Sequence, residues 1–200
     1  MVRSRVETPR EVNAFVDRLE DRIEDLVRGR DRVALAYSGG LASTLVAMVA
    51  RKRCDLECVV AGSAESADIR AGRSAKQHMD YRIELLVLDA VETQRIHERL
   101  EAAPGLSFRA IRALIPLFAV VERAERRAWL TGFGGAKVDP RIIAELQRLG
   151  ASAPLLDLAS DGTVPRARLR AAAMSLGLPE EWARVPHRPP ANGAGIATFL

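Results

Sequence analysis

Short runs rich in apolar residues recur along the first two thirds of the chain. They cover residues 33–37, 56–61, 83–88 and 128–131. Each run is bounded by polar residues or glycine, which is typical of strands that are buried on both faces. Segments with helical spacing of apolar residues separate the runs. This order predicts an α/β fold, with right-handed crossovers and a parallel sheet carrying helices on both faces.

The first helix has the clearest boundaries. Thr8 can cap it, Pro9 suits its first position, and Glu11 completes a Thr-x-x-Glu capping box. Apolar residues then follow one face as far as Gly29, so we predict a helix over residues 9–28. Pro116 should kink or split a later helix. The remaining helices are predicted over residues 41–53, 68–79, 91–100, 108–127, 142–149 and 167–176.

The chain has 200 residues, of which 48% are hydrophobic. This length predicts a single domain over residues 1–200. It would comprise the helix 9–28, a core over about 31–140, and a helical part ending in an irregular, Pro/Gly-rich tail within 141–200. No apolar run reaches the roughly 18 residues of a membrane span, and no secretory signal is visible. We therefore expect a cytoplasmic protein that binds no membrane.

Charge and cysteine content indicate no further partner or metal site. The net charge is +4, and all but three of the 30 basic residues are arginine, but they are spread along the chain. Nucleic acid is therefore not an expected partner. Cys54 and Cys58 should be reduced core thiols, because no further metal ligands lie near them. His78 and His97 are predicted on helix surfaces.

A glycine turn follows the first core strand. Ser38-Gly39-Gly40 lies where ligands bind in a doubly wound sheet, beyond the carboxyl end of a strand. Glycine lets the backbone approach an anion closely, and the next helix offers free N–H groups and its dipole. Ser43 adds a hydroxyl. The sequence therefore predicts a nucleotide phosphate site, although a tight strand-to-helix turn without a ligand would look similar.

Several segments together resemble the N-type ATP pyrophosphatases of the PP-loop superfamily, and in particular the synthetase domain of asparagine synthases. Residues 38–43 resemble the motif S-G-G-x-D-S, and 130–134 resemble the second glycine motif of that domain. Later landmarks are similar at 154–157 and 169–172. Residues 193–196 resemble the closing G-S-G-[IV] of short archaeal-type members.

The resemblance implies an enzyme that uses ATP to convert a carboxylate into its AMP ester, releasing pyrophosphate before ammonia attacks. Pyrophosphate would lie against Ser38, Gly39, Gly40 and Ser43. The nucleotide would be bordered, largely by backbone atoms, by Tyr37, Ala61, Gly62, Thr131 and Gly132. The substrate would be a small, aspartate-like carboxylate.

The chain departs from the family where the chemistry would occur. Ala42 replaces the motif aspartate, and Ala136 and Lys137 replace an acidic pair. The family implies Mg²⁺ beside ATP, but its carboxylate ligands are missing here, so we assign no metal ligand. Lys137 could put a fixed positive charge in the place of the cation. Arg188 is the candidate for a transition-state cation carried near the tail.

Other acidic residues and partners leave alternatives open. Asp68 and Asp89 follow strands, where capping is the common role, and Asp68 is the better candidate to face a substrate. Val2 stands where the glutaminase half of the synthases would need cysteine, so ammonia would be free or delivered by a partner protein. The sequence leaves open whether the protein forms a homo-oligomer.

Three hypotheses follow. The first is an asparagine-synthase-like ligase with unusual metal ligands. The second is a catalytically degenerate nucleotide-binding, partner or regulatory protein. The third is a tRNA-thiolating relative, which the lack of zinc-ribbon cysteines disfavours.

Overall fold

A computed structural model of the chain describes residues 7–102, 105–124, 128–159 and 161–200. These residues form a sheet of five strands in which every pairing is parallel. The strands are β1 (Arg32–Ala36), β2 (Asp55–Gly62), β3 (Arg82–Val87), β4 (Ala128–Thr131) and β5 (Ala151–Ser152). The α/β fold with a parallel sheet, predicted from the apolar runs, is confirmed.

Helices surround this sheet on both faces. They are α1 (Pro9–Val27), α2 (Leu41–Ala50), α3 (Ala67–His78), α4 (Ala90–Glu101), α5 (Phe108–Ala124), α6 (Pro140–Arg148), α7 (Pro154–Asp157), α8 (Arg166–Ser175), α9 (Glu180–Ala183) and α10 (Pro190–Gly193), followed by a 3₁₀ turn at Ile196–Thr198. Among the described residues, no helix combines the length and the apolarity that crossing a membrane requires.

The strand order creates a crevice at the centre of the sheet. The order is β3-β2-β1-β4-β5, so the chain moves outward from β1 to β3 and then returns to the other side of β1. Leu35 of β1 is in register with Cys58 of β2 and with Leu130 of β4. The connections after β1 and β4 therefore leave neighbouring strands in different directions, and a ligand can enter between them.

Apolar side chains fill both sides of the sheet. On one side, Leu19 and Ile23 of α1 and Leu45 of α2 have no exposed surface. On the other side, Ile96 of α4 and Leu114 of α5 are buried equally deeply. Residues of β1 contribute to both layers, because alternate side chains of a strand point to opposite faces.

The predicted start of α1 is confirmed in detail. The side chain of Thr8 accepts a hydrogen bond from the Glu11 backbone N–H, and the Glu11 carboxylate accepts one from the Thr8 N–H. This reciprocal pair satisfies two N–H groups that have no partner within the helix.

The secondary structure differs from the predictions in three places. The helix predicted over residues 108–127 is one continuous helix through Pro116 to Ala124, and residues 125–127 lie outside the described part of the chain. Burial of Leu114, Ile115 and Phe118 around the proline offsets the hydrogen bond that it removes. Strand β5 was missed, because two residues are too few to show a pattern. The tail beyond residue 185 was expected to be irregular, but it contains α10 and the 3₁₀ turn.

The histidine and cysteine predictions had different outcomes. His97 was expected on a helix surface, but it is buried with its ring edge-on to Phe108 at 5.7 Å between centroids. Helix α5 covers it there, and the sequence of α4 alone does not show that contact. Cys54 and Cys58 are free thiols beside and within β2, as predicted. Burial raises the pKa of Cys58 to about 12 and that of Cys54 to about 11.

The core predicts a contrast between two identical substitutions. Val49 of α2 is fully buried, whereas Val91 of α4 is 79% exposed. We expect Val49→Ala to lower the free energy of unfolding by about 2 kcal/mol, because it removes buried methyl groups and leaves a cavity. Val91→Ala should change it by less than about 0.5 kcal/mol. Urea unfolding of both variants checks this, and equal effects would contradict the assigned burial.

Candidate functional site

A cavity of about 430 Å³ opens at the carboxyl ends of β1 and β4. Its floor is the glycine turn between β1 and α2, together with the loop that follows β4. Helix α5 forms one wall, and the tail segment at residues 186–190 closes another. This is the crevice that the strand order creates.

The turn at Ser38-Gly39-Gly40 presents backbone and hydroxyl groups to this cavity. Gly40 is the N-cap of α2, and no side chain among the described residues caps that helix. The Ser38 and Ser43 hydroxyls lie 3.2 Å apart, and the Ser43 hydroxyl donates to the Gly40 carbonyl at 3.0 Å. The first N–H groups of α2 and its dipole thus remain available for an anion.

Gly39 lets the turn pass beneath α3. Its φ is +66°, and a Cβ atom added there would lie 2.3 Å from the Cβ of Ala71. A side chain at this position would therefore be strained and would also collide with α3. Glycine is required because the turn and the helix are in direct contact.

The second glycine cluster touches the first. A Cβ atom added to Gly132 would lie 2.6 Å from the Ser43 nitrogen and 2.8 Å from its Cα. The loop after β4 therefore packs directly on the first turn of α2. The Thr131 hydroxyl accepts a hydrogen bond from the Phe133 N–H at 3.3 Å, which shapes the loop at this contact.

The structure places most of the sequence-predicted nucleotide residues together. The cavity lining includes Tyr37, Ser38, Gly40, Ser43, Ala61, Thr131 and Gly132. Gly39 and Gly62 do not line it. Gly39 borders a neighbouring groove beside α3, and Gly62 packs against Ser66 and the Ala194 carbonyl.

Tyr37 is held by its own contacts. Its hydroxyl lies 3.2 Å from the Thr44 hydroxyl, and its ring is edge-on to Tyr81. Burial raises the pKa of Tyr37 to about 12, partly opposed by the hydrogen bond with Thr44. The side chain therefore has a structural role in the core beneath the turn.

Cationic side chains surround the cavity. Lys137 and Arg188, the two predicted catalytic residues, both line it and are exposed. Arg109 and Arg166 line it as well, and the sequence analysis missed them. Each lies in the first turn of a helix, where the dipole disfavours a cation. A basic residue at this unfavourable helix position is the sequence feature by which they could have been identified.

The carboxylates do not form the metal site of the resemblance. Asp68 and Asp139 line the cavity, but an Asp139 oxygen accepts a hydrogen bond from the Arg141 N–H at 2.9 Å and caps α6. Ala42 and Ala136, which stand where the resemblance has acidic residues, line the same cavity. Among the described residues, no group of three or more His, Cys, Asp or Glu could hold a metal ion. Neither Asp68 nor Asp139 stands at a position where the resemblance has a carboxylate.

Asp68 is the unusual acid of the cavity. It lies in the first turn of α3 and is only 6% exposed. Burial raises the pKa of its carboxyl group to about 7, and the charge of Arg188 opposes this increase. Asp89, by contrast, is the N-cap of α4 and accepts from the Glu92 N–H at 2.8 Å, as its position after a strand predicted.

The tail is fixed over this part of the site. The Ser63 N–H donates to the Ala194 carbonyl at 2.8 Å, just beyond the end of β2. A Cβ atom added to Gly193 would lie 2.5 Å from one Asp68 carboxylate oxygen and 2.7 Å from the other. The backbone of α10 therefore packs directly on the Asp68 carboxylate.

The raised pKa of Asp68 predicts a pH-dependent stability. Its pKa is about 7 in the folded chain against an ordinary value of 3.8, so the folded state binds the proton more tightly. The neutral carboxyl stabilises the fold fully below pH 3.8, and this contribution is lost as the pH rises through about 7. Asp68→Asn keeps a neutral group at all pH values, so its stability relative to the wild type should increase over that interval.

Urea unfolding at several pH values between 4 and 8 measures this difference. Glu65→Gln is the control, because it removes an exposed carboxylate three residues away in the sequence. A constant difference between wild type and Asp68→Asn across the range would contradict the buried, ionisable state of Asp68.

Comparison with known proteins agrees with this geometry. The family model described as asparagine synthase matches residues 14–138, which include the first four strands and both glycine clusters. No curated protein sequence matches the chain. The matched span is more than half of the 200 residues and contains the floor of the cavity. The chain therefore belongs to the asparagine synthase family, whose members use ATP.

Proposed function

We propose that the cavity binds ATP and that the protein activates a small, aspartate-like carboxylate. A carboxylate oxygen of the substrate would attack the α-phosphorus of ATP. The bond from that phosphorus to the bridging oxygen would break, and its electron pair would leave with pyrophosphate. Ammonia would then attack the acyl carbon and displace AMP.

The observation that carries this proposal is the contact between the two glycine clusters. Because Gly132 packs on the Ser43 backbone, the anion-binding turn and the loop after β4 face one cavity. The pyrophosphate end of a nucleotide fits the turn, where free N–H groups and the hydroxyls of Ser38 and Ser43 lie. Lys137 and Arg188 add positive charge for the remaining phosphate oxygens.

The opposite part of the cavity supports binding of an adenine base. It is lined mostly by apolar side chains from the strand ends, α5 and the loop after β4: Val59, Ala61, Ala113, Leu117, Val120 and Phe133. Apolar surface next to a polar, cationic end matches the two halves of an adenine nucleotide.

A second candidate function follows from the missing acids. Ala42, Ala136 and Lys137 lie in the cavity where the family pattern has carboxylates. Fixed cationic side chains can bind the phosphates without Mg²⁺. Unlike a metal ion, they cannot shift with the negative charge that moves onto the leaving pyrophosphate. The alternative is therefore a catalytically degenerate protein that binds the nucleotide and acts as a partner or regulatory subunit. In the ligase reading, ammonia would be free or supplied by a partner protein.

Formation of AMP and pyrophosphate distinguishes the two candidate functions. We expect the wild-type protein, given ATP, Mg²⁺, aspartate and ammonia, to form AMP and pyrophosphate in equal amounts. A coupled pyrophosphate assay with AMP measured by chromatography checks this. Nucleotide binding without AMP formation would reject the ligase for that substrate and favour the binding protein, and absence of nucleotide binding would reject both.

Lys137 should determine how phosphates bind. We expect Lys137→Met to weaken ATP binding by about tenfold and AMP binding by less, because a fixed charge beside the phosphates matters most for the triphosphate. Lys52→Met is the matched control, since Lys52 pairs with Glu20 at 3.7 Å outside the cavity. Calorimetry with Mg²⁺ and with chelator measures both. Equal losses in the two variants would contradict the placement of Lys137 at the phosphates.

A substitution at Ala42 should strengthen ATP binding, in contrast to Lys137→Met. Restoring a carboxylate by Ala42→Asp should strengthen ATP binding in Mg²⁺ by about tenfold over binding in chelator, because a ligand for the cation returns beside the turn. Ala42→Asn has nearly the same size without the charge and should not create this dependence. An identical response of both variants to Mg²⁺ would show that the missing acid at residue 42 is not what limits metal binding.

A further inference from the structure

We propose that a groove beside α3 is a second anion-binding site, which receives pyrophosphate from the glycine turn and leads it to solvent. This inference rests on the proposed function and adds to it the route by which one product leaves. The groove is separate from the cavity proposed to bind ATP, but the two are neighbours at the turn.

The groove is formed by α3 and by the part of the chain around α9. It has a volume of about 380 Å³. One side is a single face of α3, whose lining residues recur at helical spacing: Ala67, Arg70, Ala71 and Ser74. The other side comprises Glu181, Trp182 and Val185. The rings of Trp182 and His78 lie 6.1 Å apart between centroids, so α9 is held against α3 beyond Ser74.

The glycine turn and Arg188 lie where this groove meets the cavity. Gly39 borders the groove, whereas the next residue, Gly40, lines the cavity. Arg188 lines both spaces and is exposed. An anion held at the turn is therefore one residue away from the groove, and the long side chain of Arg188 can contact it in either space.

The charge of the groove suits pyrophosphate. Its lining contains two arginines, Arg70 and Arg188, and one acid, Glu181. The Arg70 guanidinium donates to the backbone carbonyl of Glu65, which is a neutral acceptor, and among the described residues it forms no ion pair. Its positive charge is therefore available for an anion, and a guanidinium can bind two phosphate oxygens at once.

The proposed reaction requires the two products of its first step to separate. Pyrophosphate would form on the turn, at the floor of the cavity, while the acyl adenylate must stay in the cavity until ammonia attacks. Departure through the mouth would take pyrophosphate past the adenylate, whereas the groove begins at the turn itself. Removal of pyrophosphate through the groove also prevents the reverse reaction, in which pyrophosphate attacks the adenylate and forms ATP again.

Calorimetry with inorganic pyrophosphate tests the site without catalysis. We expect the wild-type protein to bind pyrophosphate in chelator even when a non-hydrolysable ATP analogue saturates the cavity. Arg70→Met should weaken this binding about tenfold and leave the affinity for the analogue unchanged, whereas Arg70→Lys, which keeps the charge, should retain most of it. Arg73→Met is the matched control, because Arg73 lies on α3 outside the groove lining and pairs with Glu65 at 4.0 Å.

Filling the groove tests the route. Ser74→Phe places a ring in the groove, and Lys76→Phe, on the same helix but outside the lining, is its control. With ATP, Mg²⁺ and aspartate, we expect Ser74→Phe to form the adenylate as fast as the wild type but to release pyrophosphate about tenfold more slowly. Chemical quenching measures the adenylate, and a coupled assay measures free pyrophosphate.

The outcomes separate this proposal from the proposed function. Exclusion of pyrophosphate by the ATP analogue, or equal pyrophosphate affinity in wild type and Arg70→Met, would overturn the second site. Equal release rates in Ser74→Phe and Lys76→Phe would overturn the route. Failure of the wild-type protein to form the adenylate or to bind the ATP analogue would reject the proposed function, whereas binding of pyrophosphate that depends on Arg70 in that protein would still establish the anion site.

Discussion

The approach of Gly132 to the backbone of Ser43 is the contact on which the site depends. It brings the loop after β4 within van der Waals distance of the first turn of α2, at a separation that excludes any Cβ atom at residue 132. The parallel pairing of β1 with β4 sets the two strand ends side by side, and the absence of a side chain lets their loops meet. Without this contact the two glycine clusters would be separate turns, and the cavity would have no continuous floor.

Charge gives this cavity its particular character. The chain belongs to a family that uses ATP, and its cavity is lined by Lys137, Arg188, Arg109 and Arg166, while Ala42 and Ala136 contribute only methyl groups. A lysine or arginine can neutralise a phosphate as a metal ion does, but it stays attached to the backbone and cannot shift with the charge that moves onto the leaving pyrophosphate. In the proposed function, these replacements would therefore affect catalysis more than nucleotide binding. For this reason the same cavity is compatible with two candidate functions, a ligase and a nucleotide-binding protein.

The sequence was sufficient for features that depend on local pattern. The apolar runs identified the first four strands, and Thr8 and Glu11 located the start of α1. The glycine turn was placed correctly because a strand, two glycines and a helix are contiguous in the chain. Features made by distant segments were missed. His97 is buried by α5, and β5 is a strand only because Trp129 and Leu130 of β4 pair with its two residues. Arg109 and Arg166 reach the cavity because tertiary packing directs the starts of α5 and α8 towards it.

Asp68 shows how a local role and a tertiary role can differ in one residue. By its sequence position it is an acid in the first turn of a helix, which is ordinarily a stabilising arrangement on a surface. Here Gly193 packs against it, so the helix dipole must compete with the loss of hydration, and burial dominates, as the raised pKa shows. The tail therefore does more than cover the sheet. By removing water from one carboxylate, it makes the stability of the fold depend on the protonation state of Asp68.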